Sequence, residues 1–169
     1  MTIRLRGSHH LFGEVVAGRM RLSSAGRVAS QCWREIPKHF PTVTLDVSVV
    51  MPNHVHGIIV IGKSSDQRNV GAQHAAPLHS PARALSTRPA RPLSTRPAPL
   101  RVHAGSLGTI VRAFKSATTK RINERDGTPG KQVWQGNYYD RIIRSDGELD
   151  RARRYIMTNP DRWSKTVNS

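Results

Sequence analysis

The chain has 169 residues, a length that favours one domain with its own core. Lysine and arginine number 27 against 11 aspartate and glutamate, so the formal net charge is +16. This excess indicates a polyanionic partner, and nucleic acid fits better than a membrane, because no segment approaches the roughly 20 apolar residues of a spanning helix.

The single cysteine excludes an internal disulfide and a cysteine-rich zinc module. With no signal peptide at the start, we expect a cytoplasmic protein. The aromatic content of 5% disfavours a single-strand binder that relies on many stacking platforms.

Composition divides the chain into three parts. Residues 1–62 and 105–169 carry periodic apolar patterns, whereas residues 63–104 hold most of the prolines and almost no acidic residues. Within that stretch the hexapeptide LSTRPA occurs twice, at 85–90 and 93–98. Such composition predicts a disordered Pro/Arg-rich insertion. The two flanking parts are then the two halves of one domain.

Four elements are predicted before the insertion. Residues 2–6 alternate weakly, as a short edge strand does. Ser23 or Ser24 can cap a helix that Pro37 limits; its apolar face carries Val28, Cys32, Trp33 and Ile36. Residues 42–50 alternate with period two and predict a half-buried strand; one face has Val43, Leu45, Val47 and Val49. Residues 54–61 predict a second strand, whose last four residues are apolar on both faces, typical of a strand that helices cover on both sides.

Helices dominate the prediction after the insertion. Ser106 precedes apolar residues at helical spacing, and Ser145 with Glu148 forms a capping box for a last helix that Pro160 closes near Asn159. Between the two helices a strand is predicted around residues 139–143. The opposite face of the first helix is basic and is either a phosphate-contacting surface or a solvated face; it carries Arg112, Lys115, Lys120 and Arg121. The order of elements predicts a ferredoxin-like antiparallel α+β sandwich with an extra or swapped helix.

Two histidines stand at the start of the second strand. His54 and His56 are two residues apart, so both imidazoles leave the same face of a strand. This spacing can place two nitrogens on one divalent ion. The alternative is a polar patch beside a turn.

Tyr155 and Asn159 lie four residues apart on the last helix and therefore share a face. In a functional interpretation Tyr155 is a nucleophile, and Asn159 is a neutral oxygen ligand that completes a metal site with the histidines. In the alternative, Tyr155 packs at the rim of the core and Asn159 ends the helix before Pro160.

Four segments together resemble the REP-associated tyrosine transposases, single-tyrosine members of the HUH transposase group. They are LFGEVVAGRMRL at 11–22, VVMPNHVHGIIVI at 49–61, SLGTIVRAFKSATTKRIN at 106–123 and VWQGNYYDRIIRSDGELDRARRYIMTNPDRW at 133–163. The similarity covers nearly the whole chain outside the insertion, in the same order, and pairs PNHVHGI with YIMTNP.

The resemblance implies an HUH-type fold and a DNA strand-transfer reaction. His54 and His56 match the family's metal-binding histidines, Tyr155 its nucleophile and Asn159 a third ligand. A Mg²⁺ or Mn²⁺ ion binds the scissile phosphate in such enzymes, and the tyrosine forms a 5′-phosphotyrosine on single-stranded hairpin DNA. The family includes monomers and dimers. Its members have a longer first strand than residues 2–6 provide, so we expect a shortened first strand, whose loss would expose a sheet edge and weaken the mount for the histidines.

Three hypotheses follow. The first is a metal-dependent single-stranded DNA endonuclease and strand transferase. The second is a non-catalytic DNA-binding remnant of such a transposase. The third, a metal-dependent hydrolase of small phosphoesters that uses His54 and His56, is disfavoured by the charge and by the tyrosine helix.

Overall fold

The computed structural model describes residues 1–7, 10–62 and 105–167, with side chains as far as Trp163. The described residues belong to one compact unit. The predicted insertion, 63–104, lies outside them. In chain order the elements are β1 (Thr2–Arg4), β2 (Gly13–Val16), β3 (Arg19–Leu22), α1 (Ser24–His39), β4 (Val43–Met51), β5 (His54–Ile61), α2 (Leu107–Asp126), α3 (Asp146–Met157) and α4 (Asn159–Val167). This is the predicted class, a mixed α+β fold with an antiparallel sheet.

The main sheet has three antiparallel strands in the order β1-β5-β4. β5 is central, and β1 pairs with it across both histidines, Thr2 opposite His56 and Arg4 opposite His54. On the other side of the first strand, Thr2 of β1 is bridged to Tyr139, and Leu5, the residue after β1, is bridged to Trp134. The first strand is therefore short but present, and its three residues cover the edge of β5 beside both histidines.

The predicted strand at residues 139–143 is absent from the described part of the chain. Isolated bridges pair Tyr139 with Thr2 of β1 and Trp134 with Leu5, which follows β1, and residues 140–143 belong to no strand. Ile142 is 69% exposed and Ile143 is half-buried, so neither belongs to the buried core. The predicted strand would have to pair with β1, which has only three residues, and in the described residues only Tyr139 of residues 139–143 is bridged to it.

β4 departs from the uniform alternation that its sequence predicts. Leu45 lies opposite Ile59, whereas Ser48 lies opposite Gly57, so one extra residue enters β4 between these pairs. Such a bulge exchanges the two faces of a strand. Val43 is buried before it and Val50 after it, both in the core cluster. The predicted face is therefore correct only for the first part of the strand.

The end of β5 also differs from expectation. Ile58 is buried, but Val60 is 51% exposed and Ile61 is 44% exposed. The strand continues beyond the region that the helices cover, and the sequence gives no measure of how far a helix extends over a sheet.

α1 and α2 pack together on one face of the sheet and enclose the core. Ser23 caps α1 by accepting a hydrogen bond from Gly26 N, and Ser106 caps α2 by accepting one from Thr109 N. Both predicted apolar stripes are confirmed, although α1 extends two residues past Pro37. The indole of Trp33 lies against Gly57 of β5 and meets the ring of Phe114 edge-on at 5.3 Å between centroids.

α3 packs on the opposite face of the sheet, where the histidines lie. Its Ser145 cap is confirmed, since Ser145 Oγ accepts a hydrogen bond from Glu148 N. Arg153 donates to both carboxylate oxygens of Asp46, at 2.7–3.2 Å, and so joins α3 to the bulged part of β4. The predicted last helix, with Tyr155 and Asn159 on one face, is two helices: α3 ends at Met157 with Thr158 as its C-cap, and Asn159 begins α4 with Pro160 in its first turn, a position that proline tolerates well.

A small hairpin, β2–β3, was not predicted. Ala17 and Gly18 connect its strands, and both have positive φ, 49° and 72°. Two such residues are typical of the tight turns that join antiparallel strands. No helix in the described part of the chain combines the length and apolar character that crossing a membrane requires.

Candidate active site

β5 presents the two histidines to one cavity. Because side chains alternate along a strand, His54 and His56 share a face while Val55 between them is buried in the core. Their ring centroids are 4.5 Å apart, with the rings nearly perpendicular. The predicted two-residue spacing thus brings the imidazoles together.

The hydrogen bond of His54 fixes its tautomer. Asn53 Oδ1 can only accept, so His54 Nδ1 donates the 2.7 Å hydrogen bond between them. Nε2 then carries a lone pair. That atom is buried and has no hydrogen-bond partner among the described residues. Burial is the main cause that lowers the pKa of His54 to about 3, with smaller contributions from the nearby His56 and Arg4, so the imidazole is neutral at pH 7.

His56 is held by the first strand. Its Nδ1 and the Oγ1 of Thr2 are 2.8 Å apart in a hydrogen bond. When Nδ1 donates to the hydroxyl, Nε2 of His56 is also left with a free lone pair. Burial is the main cause that lowers the pKa of His56 to about 4. Both histidines are therefore in the protonation state that a metal ligand needs.

Tyr155 and Asn159 reach the same cavity from α3 and the start of α4. Its volume is about 400 Å³. It is lined by Thr2, Arg4, His54, His56, Tyr139, Tyr155, Asn159, Arg162 and Trp163. The ring centroid of Tyr155 lies 5.5 Å from that of His56, and Tyr155 is 45% exposed, whereas Asn159 is 7% exposed. All four candidate site residues therefore line one cavity.

The donors in this cavity fit a divalent ion. The described residues contain no group of three His, Cys, Asp or Glu side chains that could hold a metal. Besides the two imidazoles, the carboxamide oxygen of Asn159 is a donor of the kind that divalent ions accept, and Asn159 lines the same cavity. The buried and unpartnered Nε2 of His54 is the atom that such an ion would satisfy. With no carboxylate among these ligands, the ion would keep its full positive charge.

The four basic residues predicted on α2 do not share one surface. Arg112, Lys115 and Lys120 line a cavity of about 730 Å³ between α2 and residues 130–138. Arg121 instead points to α1, where its guanidinium lies 2.8 Å from Glu35. Lys115 Nζ donates to the carbonyls of residues 135–137 at 2.8–3.1 Å, which anchors that loop to α2.

Sequence reasoning did not assign five of the residues that line the histidine cavity. Thr2 and Arg4 carried a signal, because alternation in the first strand places both on one face. Arg162 follows Asn159 by three residues in α4, a helix that was not predicted because the last helix was ended at Pro160. Its guanidinium lies over the Tyr155 ring, 5.3 Å from the centroid. Tyr139 and Trp163 required the tertiary structure.

The chain is similar in sequence to a bacterial protein and in fold to a solved transposase structure. No protein-family model matches the chain. An uncharacterized protein of Haemophilus influenzae is 33% identical over 165 residues, which are 98% of this chain and 81% of that protein. Among solved structures, the REP-associated tyrosine transposase bound to a REP hairpin is similar, with a TM-score of 0.56 and 15% identity.

The structural match covers 95% of this chain and 64% of the transposase chain, so the chain spans less than two thirds of that protein. The likeness confirms the predicted fold, an antiparallel α+β sandwich of the HUH type. The identity to the bacterial protein covers nearly the whole of this chain and most of its relative. The chain therefore belongs to the same family as the uncharacterized Haemophilus influenzae protein and has the fold of a REP-associated tyrosine transposase.

Proposed function

We propose that the protein is a metal-dependent endonuclease and strand transferase that acts on single-stranded hairpin DNA through a 5′-phosphotyrosine. One observation carries this proposal: His54, His56, Tyr155 and Asn159 line a single cavity on one face of the sheet. The fold it shares with a transposase bound to a REP hairpin supports the same class of substrate.

Tyr155 is the nucleophile in this proposal. Its oxygen attacks the scissile phosphorus, the Tyr155 O–P bond forms, and the bond from phosphorus to the 3′ oxygen breaks. The phenolic proton is lost and the leaving 3′ oxygen gains one, so the products are a 5′-phosphotyrosine and a free 3′-hydroxyl. Because one phosphodiester-type bond replaces another, the reverse reaction can join a new 3′-hydroxyl without ATP.

His54, His56 and Asn159 would hold Mg²⁺ or Mn²⁺ in the same cavity. When bound, the ion supplies positive charge that polarises the scissile phosphate. Asn53 and Thr2 orient the two imidazoles through their Nδ1 atoms, and such partners fix the ring orientation of metal-binding histidines. The guanidinium of Arg162 beside Tyr155 adds positive charge where the phenol loses its proton.

The basic cavity of α2 is the second contact with DNA in this proposal. Arg112 and Lys120 are exposed there and can approach phosphates, although Lys120 Nζ also lies 3.8 Å from Glu124 in an exposed ion pair. The net charge of +16 would bind a polyanion strongly at low salt. Arg121 contributes less, because its charge is paired with Glu35.

The test is covalent capture of DNA. The purified chain is incubated with Mn²⁺ and hairpin DNA that carries single-stranded flanks and a label, and denaturing gels are searched for a protein–DNA adduct. We expect Tyr155→Phe to bind the DNA and form no adduct. Tyr138→Phe is the matched control and should form adduct normally, because Tyr138 packs against the core and the Lys115 ammonium, 5.9 Å from its ring centroid.

Two further variants test the metal. His54→Ala and Asn159→Ala should each weaken Mn²⁺ binding, measured by electron paramagnetic resonance without DNA, and should abolish the adduct. Adduct formation by Tyr155→Phe would contradict the assigned nucleophile. DNA binding with no adduct from the unmodified chain would instead support the non-catalytic remnant.

A further inference from the structure

We propose that Tyr139, with Arg4 beside it, is a stacking platform that holds one unpaired base next to the reactive phosphate. This inference rests on the proposed function and adds the feature that would let the site take single-stranded but not paired DNA. Tyr139 lines the same cavity as the histidines and Tyr155.

Backbone pairing mounts Tyr139 rigidly. Thr2 N donates to Tyr139 O at 2.7 Å, and Tyr139 N donates to Thr2 O at 2.9 Å. Residues paired in this way lie directly opposite each other and share a face of the sheet. Since Thr2 is in turn opposite His56, the side chains of Tyr139, Thr2 and His56 stand in one row across the sheet.

The ring of Tyr139 is available to a ligand. Tyr139 is 66% exposed, a large fraction for an aromatic residue fixed by two backbone hydrogen bonds. Packing in the core does not account for it, because its neighbour Tyr138 is the residue that packs against the core cluster. An exposed aromatic ring at the wall of a nucleic-acid site is the usual support for a base.

Arg4 completes the platform. Its guanidinium carbon lies 5.8 Å from the centroid of the Tyr139 ring, within the range of a cation–π contact. Arg4 is opposite His54 on the sheet and lines the same cavity. A base stacked on Tyr139 would thus lie beside a cation that can contact the adjoining phosphate.

The arrangement selects for a single strand. Every base has a π-face, so stacking on one ring carries little sequence preference, but a paired base within a duplex keeps both faces covered by its neighbours. A single stacking residue is also compatible with the low aromatic content of the chain, which disfavours only a protein that needs many stacking residues.

Photocrosslinking tests the platform without requiring catalysis. Hairpin oligonucleotides with 5-iodouracil at one unpaired position each are bound to the Tyr155→Phe chain, irradiated, digested and analysed by mass spectrometry. We expect one position to crosslink to Tyr139. Tyr139→Phe should keep that crosslink, whereas Tyr139→Leu and Tyr139→Gln should lose it and bind the oligonucleotide about 5- to 100-fold more weakly.

Ile142→Ala is the matched control, since Ile142 is 69% exposed, lies in the same segment and is not among the residues that line the cavity. It should change neither readout. Crosslinking at Tyr139 without any adduct from the unmodified chain would support the platform and contradict the catalytic proposal. Unchanged affinity in both Tyr139→Leu and Tyr139→Gln, or a crosslink that never maps to Tyr139, would overturn the platform and leave the catalytic proposal standing.

Discussion

Gly57 connects the packing of the core to the geometry of the site, and replacing it with alanine tests that connection. Gly57 follows His56 on β5 and faces α1. A Cβ at this position would lie 2.2 Å from Cζ2 of Trp33 and 2.8 Å from its Cη2. The indole would have to withdraw by at least about 1.2 Å, from 2.2 Å to 3.4 Å, to restore ordinary contact, but it is 3% exposed and the ring of Phe114 meets it edge-on.

Two opposing contributions set the magnitude for Gly57→Ala. Overpacking a well-filled core costs about 1–3 kcal/mol. Alanine also restricts the unfolded chain, which stabilises the folded state by about 0.4–1 kcal/mol. This gain applies because Gly57 is not among the glycines with positive φ, so alanine can adopt its backbone conformation. A contact of 2.2 Å forces the buried indole to move, which places the overpacking cost in the upper half of that range, and we therefore expect the free energy of unfolding to fall by about 1–2.5 kcal/mol. Displacement of β5 should also weaken Mn²⁺ binding, since the His56 backbone is directly attached.

Urea denaturation followed by tryptophan fluorescence measures the change in stability. Gly136→Ala is the control, because nothing lies within 4 Å of the Cβ it would add, and it should stay within about 0.5 kcal/mol of the parent. A Gly57→Ala chain as stable as that control would refute the reasoning, since it would mean that Trp33 does not pack against β5 as described.

Two further predictions concern charged residues. Arg153→Ala should lower the free energy of unfolding at pH 7 through loss of the Asp46 ion pair. Hydrogen bonds from Arg153 lower the pKa of Asp46 below its ordinary 3.8, so the ion pair stabilises the fold above pH 3.8. In urea titrations, the difference in the free energy of unfolding between the parent and Arg153→Ala should therefore shrink as the pH falls below 3.8. Arg112→Ala should reduce the slope of log affinity for DNA against log salt concentration by about 1, whereas Arg121→Ala should leave the slope unchanged because Glu35 already pairs with that charge. Equal slopes for the two arginine variants would contradict the assignment of the basic cavity.

Local signals predicted much of the fold. Ser106 and Ser145 each accept the hydrogen bond expected of a helix cap, and the apolar stripe of α2 is buried where its periodicity indicated. These features depend on residues within four positions of one another, so the sequence carries them directly. The same holds for the His54 and His56 pair, whose common face follows from strand geometry alone.

The features that were missed depend on distant residues. The bulge in β4 follows from its pairing with β5, and Asp46 within it is held by Arg153, which is 107 residues away. Tyr139 faces the site only because it pairs with Thr2. The β2–β3 hairpin is the exception, because Ala17-Gly18 between two alternating segments is a local signal that could have been used.

The first strand shows that the spacing of the two histidines in the sequence does not by itself predict how their rings are oriented. Residues 2–6 looked too short to support the histidines, yet β1 contributes more than hydrogen bonds along an edge. Thr2 orients His56 through a hydrogen bond between residues 54 positions apart, and Arg4 adds charge beside His54. The motif PNHVHG thus supplies the nitrogens, but the atom that orients one of them comes from the opposite strand. The competence of the site therefore depends on whether β1 stays paired to β5, which no spacing within the motif can reveal.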